Sequence, residues 1–308
     1  MNPQLSRRRF LQAGLAAPLL FSSLRFARAE DAGIKLSAFA DEISPDLDEQ
    51  IRVCKQLGIT HIELRAAAGK NVLDFDAALR KTVREKLLAG GLGVVSIGSP
   101  IGKVKLNEPW LAHFDRFKVA VELAEYFNAP MIRLFSYYPA KGKEFTAADR
   151  DEVIRRLQQQ TDYVKDHPVT LAHENEKGIY GEKGPACLDI LKTINSPKLR
   201  GVFDFANFVQ AGDDNLKNWE LLKPYVVHFH IKDCKRETKK VVPAGQGDGN
   251  LQTILEDAFK SGYRGFFSLE PHLKVAGHSS GETGADLFKV ATDALRDVCR
   301  KGHIPLAS

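Results

Sequence analysis

Glu174 in the run TLAHEN, Asp204 in GVFDFAN, His230 in VVHFHIKD and Glu270 in FFSLEPH each stand at the end of a short apolar stretch. Three carboxylates and one imidazole form an oxygen-rich set that suits a hard or borderline divalent ion. Mn²⁺ is the first expectation, with Mg²⁺ or Co²⁺ as alternatives; structural zinc prefers thiolates. Four protein ligands on a six-coordinate ion leave two positions open, enough for neighbouring hydroxyl and carbonyl oxygens of a sugar. Taken singly, each of these residues is as readily a salt-bridged or capping group. Their shared place at strand ends is what points to a metal.

The elements that must position them follow a regular rhythm. Strand-like runs occur at 35–39, 61–64, 94–97, 131–135, 169–173, 201–205, 226–231 and 265–269, and helical patterns fill the intervals near 46–57, 74–90, 108–128, 146–166, 184–195, 213–223, 249–261 and 283–301. In the first helix Leu47, Ile51, Cys54 and Leu57 make one apolar stripe, Ser44-Pro45 opens it and Gly58 stops it. Short apolar strands alternating with helices predict a parallel sheet with right-handed crossovers. Eight such units in one chain predict a closed (β/α)8 TIM barrel forming a single domain. An open doubly wound sheet is the structural alternative, but convergence of polar groups from so many strand ends requires a ring.

In such a barrel the C-terminal strand ends form the active face. Read in order they carry Asp41 and Glu42, Glu63 and Arg65, Ser99 and Lys103, Arg133 and Ser136, His173 and Glu174, Asp204 and Asn207, His230 and Lys232, and Glu270 and His272. A purely structural barrel would show polar groups at one or two ends.

Residues 1–29 read as a targeting segment. Ser6-Arg7-Arg8-Arg9-Phe10-Leu11-Gln12 is similar to the twin-arginine export motif, a modest apolar stretch follows, and Ala27-Arg28-Ala29 offers small residues for a signal peptidase. The domain is therefore expected over 30–308, exported to the periplasm or beyond. The formal net charge is +5, and all five charges are arginines of residues 1–29, so the remaining chain is near neutral. That balance argues against a nucleic-acid partner. No apolar run approaches the roughly 20 residues of a membrane span. The four cysteines, Cys54, Cys187, Cys234 and Cys299, lack CxxC spacing and give no structural zinc site; a disulfide pairing is not legible from sequence.

The run DEISPDLDEQIRVCKQLGITHIELR, with IGSPIGK, HEN, FDFANF, HFHIKD and SLEPH, resembles the xylose isomerase-like barrel family across essentially all of residues 30–308. That superfamily of sugar (phosphate) isomerases and epimerases includes ketose 3-epimerases, inosose dehydratases and endonuclease IV. The resemblance implies that Glu174, Asp204, His230 and Glu270 are metal ligands. It also implies that Glu174 and Glu270 are the catalytic proton-transferring pair, on opposite faces of the substrate carbon. A homo-oligomer is a further implication, since members are frequently dimers or tetramers. Asn207 stands where the ketose 3-epimerases have a substrate-touching His, and Lys232-Asp233 where they have Gly-Glu.

The implied chemistry is physically sound. A proton next to a ketone is too weakly acidic for a carboxylate to remove at neutral pH, and a divalent cation on the carbonyl oxygen stabilises the enediolate by several kcal/mol. One glutamate then removes the proton and the other returns it, giving an epimer, or an isomer if it is returned to the neighbouring carbon. With a leaving group at the β position the same intermediate gives a lyase or dehydratase. A metal-dependent isomerase or epimerase of keto-sugars is the leading expectation, with the β-eliminating lyase next and a non-catalytic exported sugar-binding barrel after it. Phosphodiester hydrolysis needs about three zinc ions and a larger His and acid set than nine histidines, several in helices, supply.

Other candidates have two readings each. Lys103 lies in a Gly/Pro-shaped loop suited to substrate, and Lys232 is expected at the site edge, either on a substrate oxygen or as a solvated surface lysine. His272 and His173 read first as packed neighbours, although His272 could touch sugar, and Asn207 is a substrate-binding candidate. Arg133 is expected to pair with Glu63, and Glu63 and Arg65 to orient ligands. The glycines of Gly245-Gln246-Gly247-Asp248-Gly249 could cradle a phosphate, but without Lys or Arg in the loop a turn with helix capping is the preferred reading.

Overall fold

Eight strands, β1 (Lys35–Ala38), β2 (His61–Leu64), β3 (Gly93–Ile97), β4 (Met131–Leu134), β5 (Thr170–Glu174), β6 (Leu199–Asp204), β7 (Val226–Ile231) and β8 (Phe266–Leu269), pair in sequence order, and β8 closes on β1. Every pairing is parallel. This is a computed structural model, and it describes residues 33–142, 144–274 and 282–307. The proposed export segment lies outside the described residues. Among the described residues no helix is long and apolar enough to cross a membrane.

Helices α1 (Leu47–Gln56), α2 (Ala77–Gly90), α3 (Trp110–Phe127), α4 (Ala147–Tyr163) and α5 (Gly184–Ile194) follow the first five strands. A short helix, Phe205–Gln210, and a longer one, Asn215–Leu222, follow β6; Leu251–Lys260 and Ala285–Lys301 complete the ring. Local chemistry sets the ends. Asp46 caps α1 by accepting from the Asp48 amide, a residue later than the Ser44-Pro45 start expected from sequence. Thr146 and Asp149 form a reciprocal capping box on α4. Gly91 ends α2 at φ +71°, a conformation that side chains with a Cβ rarely adopt.

The strands are buried on both faces, as parallel sheets require. Outward-facing Ile62, Ile132, Leu171, Phe203, Phe229 and Phe267 pack with helix residues such as Phe117, Val121, Leu157, Leu191, Leu255 and Leu295 in the main core. Burial of each large apolar side chain stabilises by roughly 1.5–3 kcal/mol. A separate small cluster joins Val95, Met131, Ala172 and Val202. Residues i and i+2 of a strand share a face, so Met131, Ala172 and Val202 lie below Arg133, Glu174 and Asp204 on the same inward sides. The barrel interior thus changes from apolar to ionic toward the C-terminal ends. All four cysteines are buried and unpaired.

Candidate metal centre

Strand register brings the four expected ligands together. Asp204 pairs with His230 across β6 and β7, His230 with Ser268 across β7 and β8, and Glu174 with Val202 across β5 and β6. One donor atom from each of Glu174, Asp204, His230 and Glu270 lies within 4.8 Å of every other. All four residues are buried. Glu174 Oε1 is 3.2 Å from His230 Nδ1, and Glu270 Oε2 is 3.6 Å from the same nitrogen.

The donor set fits a divalent cation. Both ring nitrogens of His230 and Oδ2 of Asp204 are buried without a well-aligned hydrogen bond, although Glu63, Glu174 and Lys232 stand 2.9–3.2 Å from them, so charge attraction and not directed bonding holds them here. Burial pushes the Asp204 carboxyl up to about 7, with Glu174 and Glu270 adding to the effect against the opposing pull of Lys232. Burial also opposes charge on Glu174, yet His230 and Arg133 hold its carboxyl at about 2, against repulsion from Glu270. His230 is held well above the ordinary imidazole range by Glu174 and Glu63 in spite of burial. A cation among these groups would take over the role of the His230 proton.

Behind the ligands stands a supporting layer. Glu63 Oε1 faces His230 Nε2 at 3.1 Å and accepts from His228 Nε2 at 2.8 Å. This carboxylate fixes which nitrogen of His230 faces the cluster, the usual device for orienting a ligating imidazole. Arg65 reaches Asp41 at 2.8 Å and Glu270 at 3.1 Å, so Glu63 and Arg65 each contact one of the four candidate residues. Arg133 does not pair with Glu63. Its Nη1 lies 3.2 Å from Glu174 and 3.5 Å from Glu270, while Glu63 is taken by the two β7 histidines.

The remaining candidates also have definite places. Lys232 is buried, with Nζ 2.9 Å from Asp204 Oδ2 and 3.1 Å from Glu270 Oε2, which excludes the surface-lysine reading. Asn207 donates from Nδ2 to Glu174 Oε1 at 3.3 Å and to the Asn175 carbonyl at 2.9 Å. His272, at φ +47°, lies with Nε2 3.2 Å from Glu42 and 3.6 Å from Glu270. Burial works against its charge, but those two carboxylates raise it to about 9. Lys103 forms an ion pair with Glu176 at 2.8 Å. His173 is buried with Nε2 making no hydrogen bond, and burial holds it down to about 4 against the pull of Glu174, as a packed neighbour. The amides of Gly245, Gly247 and Gly249 donate to Asp233 at 2.9–3.0 Å, so the glycine loop wraps a carboxylate of its own chain.

Two supporting residues escaped the sequence reading. His228 precedes His230 by two positions on one strand, and that spacing alone placed both on the inner face. Asn175 exchanges hydrogen bonds with the Asp204 backbone, donating to its carbonyl and accepting from its amide, each at 3.0 Å. Its position directly after Glu174 was the available signal.

Comparison with known proteins places these features in context. A 3-dehydroshikimate dehydratase of Bacillus anthracis is 23% identical over 111 residues, 36% of this chain. The match spans 39% of that curated relative's length. A xylose isomerase-like TIM barrel protein of Mycobacterium smegmatis, solved in complex with magnesium, aligns with TM-score 0.66 at 16% identity, covering 89% of this chain and 98% of that one. The 3-keto-D-glucoside 4-epimerase of E. coli aligns with TM-score 0.64 at 13% identity, covering 87% and 99%. The family profile described as xylose isomerase-like TIM barrel matches residues 51–295, and the chain belongs to that family.

Proposed function

We propose that this protein is a divalent-metal-dependent enzyme that removes and returns a proton next to the carbonyl of a keto-sugar or related polyol. The observation that carries the reading is the convergence of Glu174, Asp204, His230 and Glu270 within 4.8 Å, at the ionic end of the barrel interior. A bound cation would act as a Lewis acid on the substrate carbonyl, making the neighbouring C–H acidic enough for a carboxylate. Glu174 and Glu270 are the proton-transferring pair. Both carboxyls are held below the ordinary range by their neighbours, against burial, so both rest ionised and able to accept a proton. Arg133 spans the two and keeps them at fixed positions. Lys232 and Asn207 position the ligand carboxylates they touch.

Elimination is the second reading. It is favoured by Lys232, a buried cation against Glu270 that suits an enolate oxygen, and by the local similarity to a dehydratase. The export-like run Ser6–Gln12 supports a site of action outside the cytoplasm and hence an unphosphorylated sugar. Metal analysis of the purified protein, then incubation with Mn²⁺ and a keto-sugar panel in D₂O, tests all of this. Deuterium at the α carbon with no loss of water supports epimerisation or isomerisation, and an unsaturated product supports elimination. A protein that holds no divalent ion after equilibration with Mn²⁺, Mg²⁺ and Co²⁺ overturns both.

A further inference from the structure

Among the described residues the barrel ladder shifts register at two places. Between β2 and β3 the pairing passes from Ile62 with Val94 to Glu63 with Ser96, so Val95 is an extra residue. Between β6 and β7 it passes from Gly201 with Val226 to Val202 with His228, so Val227 is an extra residue. A slip of one residue exchanges the two faces of a strand. Without the second shift, Val202 and Asp204 would pair with Val227 and Phe229; with it they pair with His228 and His230. Both inserted valines pack in the small apolar cluster beneath the site. Such insertions are uncommon in a parallel ladder and serve to re-aim side chains beside a site.

The two irregularities meet in one contact. His228 Nε2 donates to Glu63 Oε1 at 2.8 Å, between strands on opposite sides of the closure. Among the described residues this is the one hydrogen bond that the Glu63 side chain accepts. His230 Nε2 stands 3.1 Å from the same oxygen but lacks the alignment of a hydrogen bond. The two imidazole rings are 5.6 Å apart and nearly perpendicular, at 89°, so they reach that oxygen from different directions. All three side chains are at most 1% exposed, where a hydrogen bond to a carboxylate is not shared with bulk water.

We propose that His228 is a positioning residue for the metal centre: it holds Glu63, and Glu63 in turn fixes the ring of His230. The proposal rests on the metal-dependent reading above. Glu63 has a flexible side chain, and its misaligned contact with His230 restrains it little, whereas the aligned, charge-assisted bond from His228 fixes Oε1 in place. His228 acts through Glu63 and takes no part in the proton transfer. One donor atom from each of Glu63, His228 and His230 also lies within 4.8 Å of the others, so a second ion held by this trio is the rival arrangement.

Co²⁺ titration tests this, with affinity read by chelator competition and ligand geometry by visible absorption. The native protein is expected to bind one Co²⁺ per chain. His228→Asn, whose amide falls short of Glu63, is expected to bind about tenfold more weakly and to shift the absorption bands. His228→Gln, whose amide nitrogen reaches about as far as Nε2, is expected to stay within about threefold of the native affinity and to keep its spectrum. His228→Leu fills the space without a donor and replaces the Asn variant if that one does not fold, as judged by denaturant unfolding in chelator. A folded Asn or Leu variant within about twofold of the native affinity, with an unchanged spectrum, overturns the proposal. So does a Gln variant as weak as the Asn one, or a second Co²⁺ bound by the native chain and lost in the variants. A native protein that binds no Co²⁺ overturns the metal reading as well, whereas native binding indifferent to His228 overturns the proposal alone.

Discussion

Replacing Glu63 by Gln removes one negative charge while keeping the size and an acceptor oxygen. Glu63 Oε1 faces Nε2 of both His228 and His230, at 2.8 and 3.1 Å, and all three residues are buried. Hydrogen bonds to a charged group contribute about 1.5–3 kcal/mol and neutral ones about 0.5–1.5, so each contact weakens by roughly 1 kcal/mol. Two consequences follow for His230. Its Nδ1 becomes a poorer electron-pair donor, and the amide NH₂ of Gln can compete for Nε2 and turn the ring. Loss of such an orienting carboxylate typically costs 10–100-fold in metal affinity, about 1.4–2.7 kcal/mol. Competition titration with a chromogenic chelator measures this directly, and denaturant unfolding in chelator measures the stability change separately. Mn²⁺ affinity within twofold of the native protein, in a variant that is still folded, would refute the assignment of His230 as a ligand held by Glu63.

Metal affinity is expected to weaken as pH falls below about 7, because the Asp204 carboxyl pushed up to that value by burial must lose its proton to ligate. Titrations in buffers of different ionisation enthalpy at pH 6 and 8 should show proton release; a pH-independent Kd contradicts the site as drawn. On α4, the Arg155 hydrogen bonds, with Arg156 and against partial burial, hold Glu152 at about 2. Its folded pKa lies below the unfolded one, so its stabilisation is present above pH 4.5 and lost as pH falls toward 2. Glu152→Gln should therefore cost about 1 kcal/mol at pH 6, discounted for its exposure, and almost nothing at pH 2, read from denaturant midpoints. Gly247→Ala places a Cβ 2.2 Å from Asp233 Oδ1 and should lower stability by about 2–3 kcal/mol. A melting temperature unchanged in that variant would show that the glycine loop does not need its close approach to Asp233.

Much of the fold could be read along the chain because its determinants are local. Apolar runs of five or so residues, each followed by an amphipathic helix, dictate parallel strands. The alternation of side chains fixes which residue of each strand looks inward. Met131 with Arg133, Ala172 with Glu174 and Val202 with Asp204 obey that alternation, so the candidate ligands were visible as strand-end residues in phase. What the linear order did not determine was who pairs with whom across the closed ring. Glu63 and His228 are 165 positions apart, and Arg65 and Glu270 are 205 apart. Their contact exists only because β8 returns to β1 and the inner residues of opposite strands meet. Arg133 could be expected to find a carboxylate, but the choice of Glu174 and Glu270 over Glu63 was decided by the two β7 histidines claiming Glu63 first. The depth of Lys232 and the wrapping of Asp233 by the glycine amides were likewise settled in three dimensions. Charges within a few ångström in a buried space are ordered by mutual distance and desolvation, quantities that residue types and spacing do not contain.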